Sequence, residues 1–388
     1  MNYRLVYIYT SASMPLFFQR GQNIFLRNKG FEIHLIASKD IYLNQVNERD
    51  GIIVHELNIK RRPSILNDLV SFIRLIILLR RIKPDIVHAG APKSSFLGLL
   101  AAFICRIKGR FFACHGTITG RRKGLARIFY RYIEKFTALL AKRVWCVSPS
   151  LLVFLNSEGI VSKEKGFTIG LGSANGFKRE WLEDKNAEIP EIIKKLRNDK
   201  DINYFPIILY VGRICSGKGV EILAEAWKKL REKYPKLRFL LIGGYDFTNP
   251  IDSRVSDFLQ NDERVIFPGY VSPGALGFCY ETVDLLVAPS LGSEGFGNVI
   301  GEASLFSLPI VATNVIGFKD AVLDGVTGSL IPPSDSNSIF EAVVNYLDCP
   351  ELARKHGLAG QKRYEKYFTP ELIWANLYSE YLNLLSSN

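Results

Sequence analysis

The chain has 388 residues, 47% of them hydrophobic and 23% charged, which is enough for two globular units with their own cores and excludes a disordered or fibrous chain. Its formal charge is +12, unevenly spread: residues 1–170 hold 27 Lys and Arg against 10 Asp and Glu, and residues 171–388 hold 23 against 28. The apolar stretches reach about nine residues, as in 97–105, where a membrane span needs about 20.

In chain order, β-branched and aromatic runs at 3–9, 31–37, 52–57, 85–88, 110–114 and 144–147 read as strands, with helical patterns between them at 65–82, 94–107 and 122–142. After a polar pause at 172–204 the alternation resumes. Strands are expected at 206–211, 238–242, 264–267, 284–288 and 309–312, and helices at 218–233, 251–260, 298–306 and 336–347. A last helix follows Pro370, over 371–386. Buried strands separated by helices imply parallel sheets covered on both faces, so the expected class is α/β with two doubly wound units. The expected division is 1–172, 173–370, and a terminal helix 371–388 returning to the first unit. Ligands of such sheets sit beyond the carboxyl ends of the strands.

Three segments of the second half converge on one chemistry. In 210–219, YVGRICSGKG, Arg213 and Lys218 lie between a strand end and a helix start, where two cations suit a diphosphate. In 288–303, APSLGSEGFGNVIGEA, glycines precede a helix beginning near Asn298, so backbone N–H groups and the helix start favour an anion. Glu294 lies in that loop and Glu302 just over a turn into the helix. A carboxylate only accepts hydrogen bonds, which suits Glu302 to a ribose diol and Glu294 to sugar hydroxyls. In 267–272, FPGYVS, the backbone around Tyr270 and Val271 could meet a base edge.

The ordered set GRICSGKG, PGYVS, SEGFGNVIGEA, LPIVATNVIG and DGVTGSLIPPSD resembles glycosyltransferase family 4, with Glu294 and Glu302 standing as its E-x7-E signature. The resemblance implies the GT-B architecture, two Rossmann-like domains facing a central cleft, closure on substrate, and retention of anomeric configuration. It implies that Arg213 and Lys218 hold the donor diphosphate, that Gly297, Asn298 and Val299 give it backbone donors, that Glu302 binds the ribose, that Glu294 orients the donor sugar, and that Val271 lies at the base. His115, in ACHGTITGR, resembles the family's histidine at the reaction centre, whereas His88 reads as structural. The stretch 13–22, SMPLFFQRGQ, departs from the family's Gly-Gly loop, which puts phosphate contacts there in doubt. GSANG at 172–176 resembles the GSxNG element of members that build capsules, O-antigens and lipid-linked glycans.

The donor this implies is a UDP-sugar, carrying an N-acetylhexosamine or another hexose. The acceptor is a saccharide on a polyprenyl diphosphate. No metal or other cofactor is expected, since Arg213, Lys218 and the helix start can stabilise the leaving phosphate; the Asp199-Lys200-Asp201 match lies in the polar pause. The start MNYRLVYIYT carries no secretory pattern. Six scattered cysteines read as reduced thiols. The expected location is therefore cytoplasmic, peripheral at the inner face of the plasma membrane. There the basic segments 72–83 and 121–143 would meet anionic lipid rather than nucleic acid. Two rival readings are a non-hydrolysing UDP-sugar 2-epimerase of the same architecture and a basic nucleic-acid-binding protein.

Overall fold

The computed structural model describes residues 3–60 and 64–386. The basic residues Arg61 and Arg62, and the outermost residues of the expected units at 1–2 and 387–388, lie outside them. The chain divides into two units. One runs to Gly176 and takes in the chain again from Pro370; the other is Phe177–Thr369.

The first unit is built on seven parallel strands: β1 Tyr3–Ile8, β2 Phe31–Ala37, β3 Ile53–Glu56, β4 Ile86–Gly90, β5 Gly109–Cys114, β6 Arg143–Cys146 and β7 Gly166–Phe167, in the order β3-β2-β1-β4-β5-β6-β7. The second has six: β8 Ile207–Val211, β9 Arg238–Ile242, β10 Val265–Gly269, β11 Leu285–Ala288, β12 Ile310–Thr313 and β13 Ser329–Ile331, in the order β10-β9-β8-β11-β12-β13. Both are Rossmann-like, and each order reverses direction once, between β1 and β4 and between β8 and β11. That reversal opens a crevice at the carboxyl ends of the two strands.

The central strands are buried along nearly their whole length, as strands covered on both faces must be. The edge strand β3 is not: Ile53 and Glu56 are exposed and Val54 and His55 half-buried. The second core gathers Leu223, Trp227, Leu230, Phe239, Leu241, Val287 and Val343 around the sheet. At its base the Asp284 carboxylate accepts from the Ile207 N–H at 2.7 Å and from Lys200 Nζ at 2.8 Å, tying together the starts of β8 and β11.

Lys200 belongs to a helix, Glu191–Asn203, that the polar composition of the pause hides. Its buried residues are Ile193 and Leu196, so the apolar period is too weak to read. The segment Asp199-Lys200-Asp201 is therefore helical and lies inside the second unit, not between units, with its lysine committed to Asp284.

The boundaries also move. Residues 173–176 stay with the first unit because the Ser173 N–H bonds the Val147 carbonyl at 2.8 Å and Asn175 is held from two sides. Its Nδ2 donates to the Arg20 carbonyl at 3.0 Å, and its Oδ1 accepts from Trp374 Nε1 at 2.7 Å. Trp374 lies on the terminal helix, Pro370–Ser386, which is part of the first unit's core: Ile373, Leu377 and Tyr381 are fully buried. The Tyr381 hydroxyl meets His88 Nδ1 at 2.5 Å amid Tyr7, Phe111 and Trp145. His88 is thus wholly interior, and burial holds its imidazole well below its ordinary pKa.

Because the terminal helix completes a core instead of covering one, Leu377→Ala should cost about 2–5 kcal/mol, the range for emptying a buried leucine site. Urea unfolding would measure it, and a loss below about 1 kcal/mol would contradict the packing.

Candidate functional site

Of the residues singled out in the second unit, Lys218 and Glu294 meet at the crevice between β8 and β11; Arg213 lies in the turn after β8, Gly297 to Glu302 follow β11, and Val271 stands farther along the sheet, after β10. The turn after β8 reaches the loop after β11 at three points. Leu291 N–H donates to the Gly217 carbonyl at 3.2 Å, and the Ser290 hydroxyl to the same carbonyl at 3.4 Å. Gly219, at φ 74°, lies so close to the Pro289 carbonyl that an added Cβ would stand 1.9 Å from its oxygen. Only glycine allows both the left-handed backbone and that approach. Thr313, at the end of β12, donates to the Ser290 carbonyl at 2.6 Å, and the Glu294 N–H to the Ile316 carbonyl at 2.9 Å, so the glycine-rich loop is held from both sides.

Across this contact Lys218 Nζ meets Glu294 Oε1 at 2.7 Å. The Ser290 hydroxyl donates to the same carboxylate oxygen. Both side chains are partly exposed, so the cation and the carboxylate are fixed in place yet open to a ligand. Arg213, more exposed, pairs with Asp246 in the loop after β9. That loop bonds to the turn after β8 through Ile214 N–H to the Gly244 carbonyl at 2.9 Å and Asp246 N–H to the Ile214 carbonyl at 3.1 Å.

Gly297, at φ 87°, starts the helix Asn298–Ser304, and a Cβ there would strike the Phe318 ring at 2.6 Å. The N–H groups of Asn298 and Val299 belong to its first turn, where no intrahelical acceptor is available. The helix is backed by an aromatic cluster of Phe177, Phe296, Tyr364 and Phe368, with ring centroids 4.6–6.5 Å apart. On this helix Glu302 Oε2 accepts from the buried Tyr280 hydroxyl at 2.8 Å. Burial raises the Glu302 carboxyl above its ordinary pKa, and the Tyr280 hydrogen bond offsets only part of that. Val271, in the loop that follows β10, has a buried side chain, which leaves its backbone as the group able to meet a ligand.

In the first unit, His115 directly follows β5. Its Nε2 has no hydrogen-bond partner among the described residues, and its ring lies edge-on to Trp145 at 6.2 Å. Burial pushes its pKa down to about 4, so the imidazole is neutral near pH 7 and can donate or accept a single hydrogen bond. The turn after β1 offers less. The Ser11 hydroxyl at 2.7 Å and the Ala12 N–H at 2.9 Å both serve the Asp40 carboxylate, which already takes two donors that an anion-binding turn would present.

Sequence reasoning passed over Ser290, Asp246 and Tyr280. Ser290 had a faint signal in its i, i+4 spacing to Glu294. Asp246 and Tyr280 had none, because they reach the site from β9's loop and from the helix Leu276–Thr282.

Comparisons with known proteins identify the family. A family model described as Glycosyl transferases group 1 matches residues 205–349, and one described as Glycosyltransferase Family 4 matches residues 25–169. A capsular polysaccharide biosynthesis glycosyltransferase, CapM, of Staphylococcus aureus is 32% identical over 388 residues, covering 100% of this chain and 99% of the relative. The chain belongs to the family 4 glycosyltransferases. A UDP-Gal:alpha-D-GlcNAc-diphosphoundecaprenol alpha-1,3-galactosyltransferase of Escherichia coli is 26% identical, over 83% of this chain and 82% of its own. In fold, this glycosyltransferase is similar to Anabaena HepE, solved with UDP (TM-score 0.76, 20% identity, 100% of both chains). It is also similar to sucrose-phosphate synthase of Thermosynechococcus elongatus (TM-score 0.79, 20% identity, 100% of both). Both are GT-B structures, so the architecture is GT-B.

The raised pKa of Glu302 makes its role measurable. The unfolded chain releases this proton at lower pH than the folded one. The group's contribution to stability is therefore best at acid pH and declines as pH rises from the ordinary carboxylate value through the raised one. Glu302→Gln should raise the thermal midpoint at pH about 7.5, and the gain should vanish near pH 4. A midpoint difference that does not change with pH would contradict a desolvated carboxylate.

Proposed function

We propose that the protein is a retaining glycosyltransferase that moves a hexosyl or N-acetylhexosaminyl group from a UDP-sugar to a saccharide carried on a polyprenyl diphosphate, in the synthesis of a capsule, O-antigen or related surface polysaccharide. The observation that carries this reading is the Lys218–Glu294 pair held across the β8–β11 crevice. The names of the relatives support the substrates: one is a capsular polysaccharide enzyme, and another acts on a sugar joined to diphosphoundecaprenol.

In this reading the donor diphosphate takes the place of Glu294 as the partner of Lys218. Arg213 turns from Asp246 to the same phosphates, and the first-turn N–H groups of Asn298 and Val299 complete the cradle, with Gly297 allowing the approach. Glu302 accepts from the ribose hydroxyls, whose two donors relieve a carboxylate that now has one. The Val271 backbone meets the base. Glu294, freed from Lys218 but still held by Ser290, accepts from hydroxyls of the donor sugar and keeps its α face towards the reaction.

Cleavage of the anomeric C–O bond builds negative charge on the terminal phosphate and positive charge on the anomeric carbon. Lys218, Arg213 and the helix start stabilise the former, without a requirement for a divalent metal. Retention proceeds by front-side attack, with the leaving phosphate accepting the acceptor's proton. Among the described residues none stands out as a β-face nucleophile of the kind a covalent route requires. The first unit carries the acceptor, and neutral His115 hydrogen-bonds a sugar hydroxyl near the reacting carbon. The enzyme works on the inner face of the plasma membrane, held there by the basic residues of 1–170.

Release of UDP, measured across a panel of UDP-sugars with polyprenyl-linked saccharides, tests this directly. No release with any donor would reject it. Lys218→Ala and Glu294→Gln should each lose at least about 2–3 kcal/mol of transition-state stabilisation, roughly 30- to 150-fold in kcat/KM. Near-normal turnover in either variant would remove that residue from the mechanism.

A further inference from the structure

The helix Gly124–Leu140 is amphipathic the wrong way round for a soluble protein. Leu125, Ile128, Phe129, Tyr132, Phe136 and Leu139 are all exposed. At 3.6 residues per turn they fall within an arc of about 100° on one side of the helix. Leu125 is 85% exposed, Tyr132 67% and Phe129 61%. The far side, with Thr137 and Ala138, packs inward. An amphipathic helix of a globular domain normally turns its apolar stripe to the core; this one turns it to the surroundings.

A second helix repeats the arrangement. Ile65–Ile82 buries Ser71, Leu75 and Leu79 and exposes Leu66, Leu69 and Ile73 along its outer side. Both helices flank the helix Pro92–Ile104 on one face of the first sheet, as the crossovers leading to β4 and from β5 require.

The charges on this face are predominantly positive. Arg74, Arg80 and Arg81 lie on the Ile65–Ile82 helix, and Arg122, Lys123, Arg127, Arg131 and Lys135 lie on or just before Gly124–Leu140. Arg127 and Arg131 share Glu158, which leaves a cationic excess. The acids of the two helices are withdrawn. Asp68 pairs with Lys93 at 2.5 Å, and Glu134 is turned inward to accept from the Thr117 hydroxyl at 2.8 Å and the Ile118 N–H at 2.6 Å. Among the described residues no helix is long and apolar enough to cross a membrane.

We propose that these two outward apolar stripes are an interfacial docking face that inserts into an anionic lipid surface, with Gly124–Leu140 lying in the plane of the headgroups. An apolar stripe edged by cations fits the acyl boundary and the phosphate layer together. A second copy fits worse, because a two-fold contact would press the same cations against themselves. The proposal deepens the membrane attachment given above. It replaces a purely electrostatic contact with insertion by named side chains.

The test is flotation of the full chain, without nucleotide sugar, on vesicles of phosphatidylcholine with and without about a third phosphatidylglycerol. Wild type should partition at least about tenfold better to the anionic vesicles. The triple variant Leu125→Gln, Phe129→Gln, Tyr132→Gln should bind them at least about tenfold more weakly at an unchanged thermal midpoint, since these side chains are exposed. Arg122→Gln, Lys123→Gln, Lys135→Gln should keep part of the binding but lose most of its salt dependence. Three results would overturn the proposal: no flotation of wild type, flotation of the apolar variant as strong as wild type, or a wild-type dimer that the apolar variant dissolves without any vesicle binding. The last would assign the face to a second copy. A chain that floats but releases no UDP from any donor would leave the docking face standing and reject the transferase reading, and the converse pair of results would do the opposite.

Discussion

The ion pair between Lys218 and Glu294 is the constraint around which the second unit's site is organised. Two loops from adjacent strands meet there only because the sheet reverses its order between β8 and β11. The glycine at 219 lets the first loop close on Pro289, and the Thr313 and Ile316 contacts hold the second loop against it. Partly exposed pairs of this sort add little to stability, in the range of about 0–1 kcal/mol. Their value lies in readiness. Each member is already oriented, and in the proposed reading a bound diphosphate exchanges one anionic partner of the lysine for another at little reorganisation cost.

The same logic extends to the rest of the site. Arg213 is held by Asp246, and Glu302 by Tyr280. In each case a charged group that would otherwise wander or be solvated has one side-chain partner among the described residues and room for more. The case of Glu302 is the most telling, because its carboxylate is desolvated enough to bind protons more tightly than usual. Such a group is poorly satisfied until further donors arrive, and a diol brings two. The aromatic cluster behind the Asn298–Ser304 helix explains why it stays in position while under-satisfied.

The first unit divides its labour differently. Its interior is closed by the terminal helix, with Tyr381 reaching His88 and Trp374 reaching Asn175, so the start of that helix secures GSANG. His115, partly buried and neutral beside this core, has no hydrogen-bond partner at Nε2 among the described residues. The outer face carries exposed apolar residues on two helices, edged by cations.

The sequence by itself determined most of the fold and singled out Lys218 and Glu294, which the structure pairs. Strand runs such as 31–37 and 238–242 and the helix 65–82 coincide with observed elements, because a fully buried strand and an apolar helix impose their periods on composition. The short edge strands β7 and β13 and the polar helix Glu191–Asn203 left no such imprint, since few of their side chains are buried. The glycines and charges of GRICSGKG and SEGFGNVIGEA were legible because local backbone geometry restricts which residues can stand there. Their partners were not. Ser290, Asp246 and Tyr280 meet the site only after the chain has folded, and composition carries no record of which carboxylate faces which cation. The direction of the apolar stripe on Gly124–Leu140 belongs to the same class. A period of 3.6 states that one side is apolar, and only the packing of the other side against the sheet decides that this one faces outward.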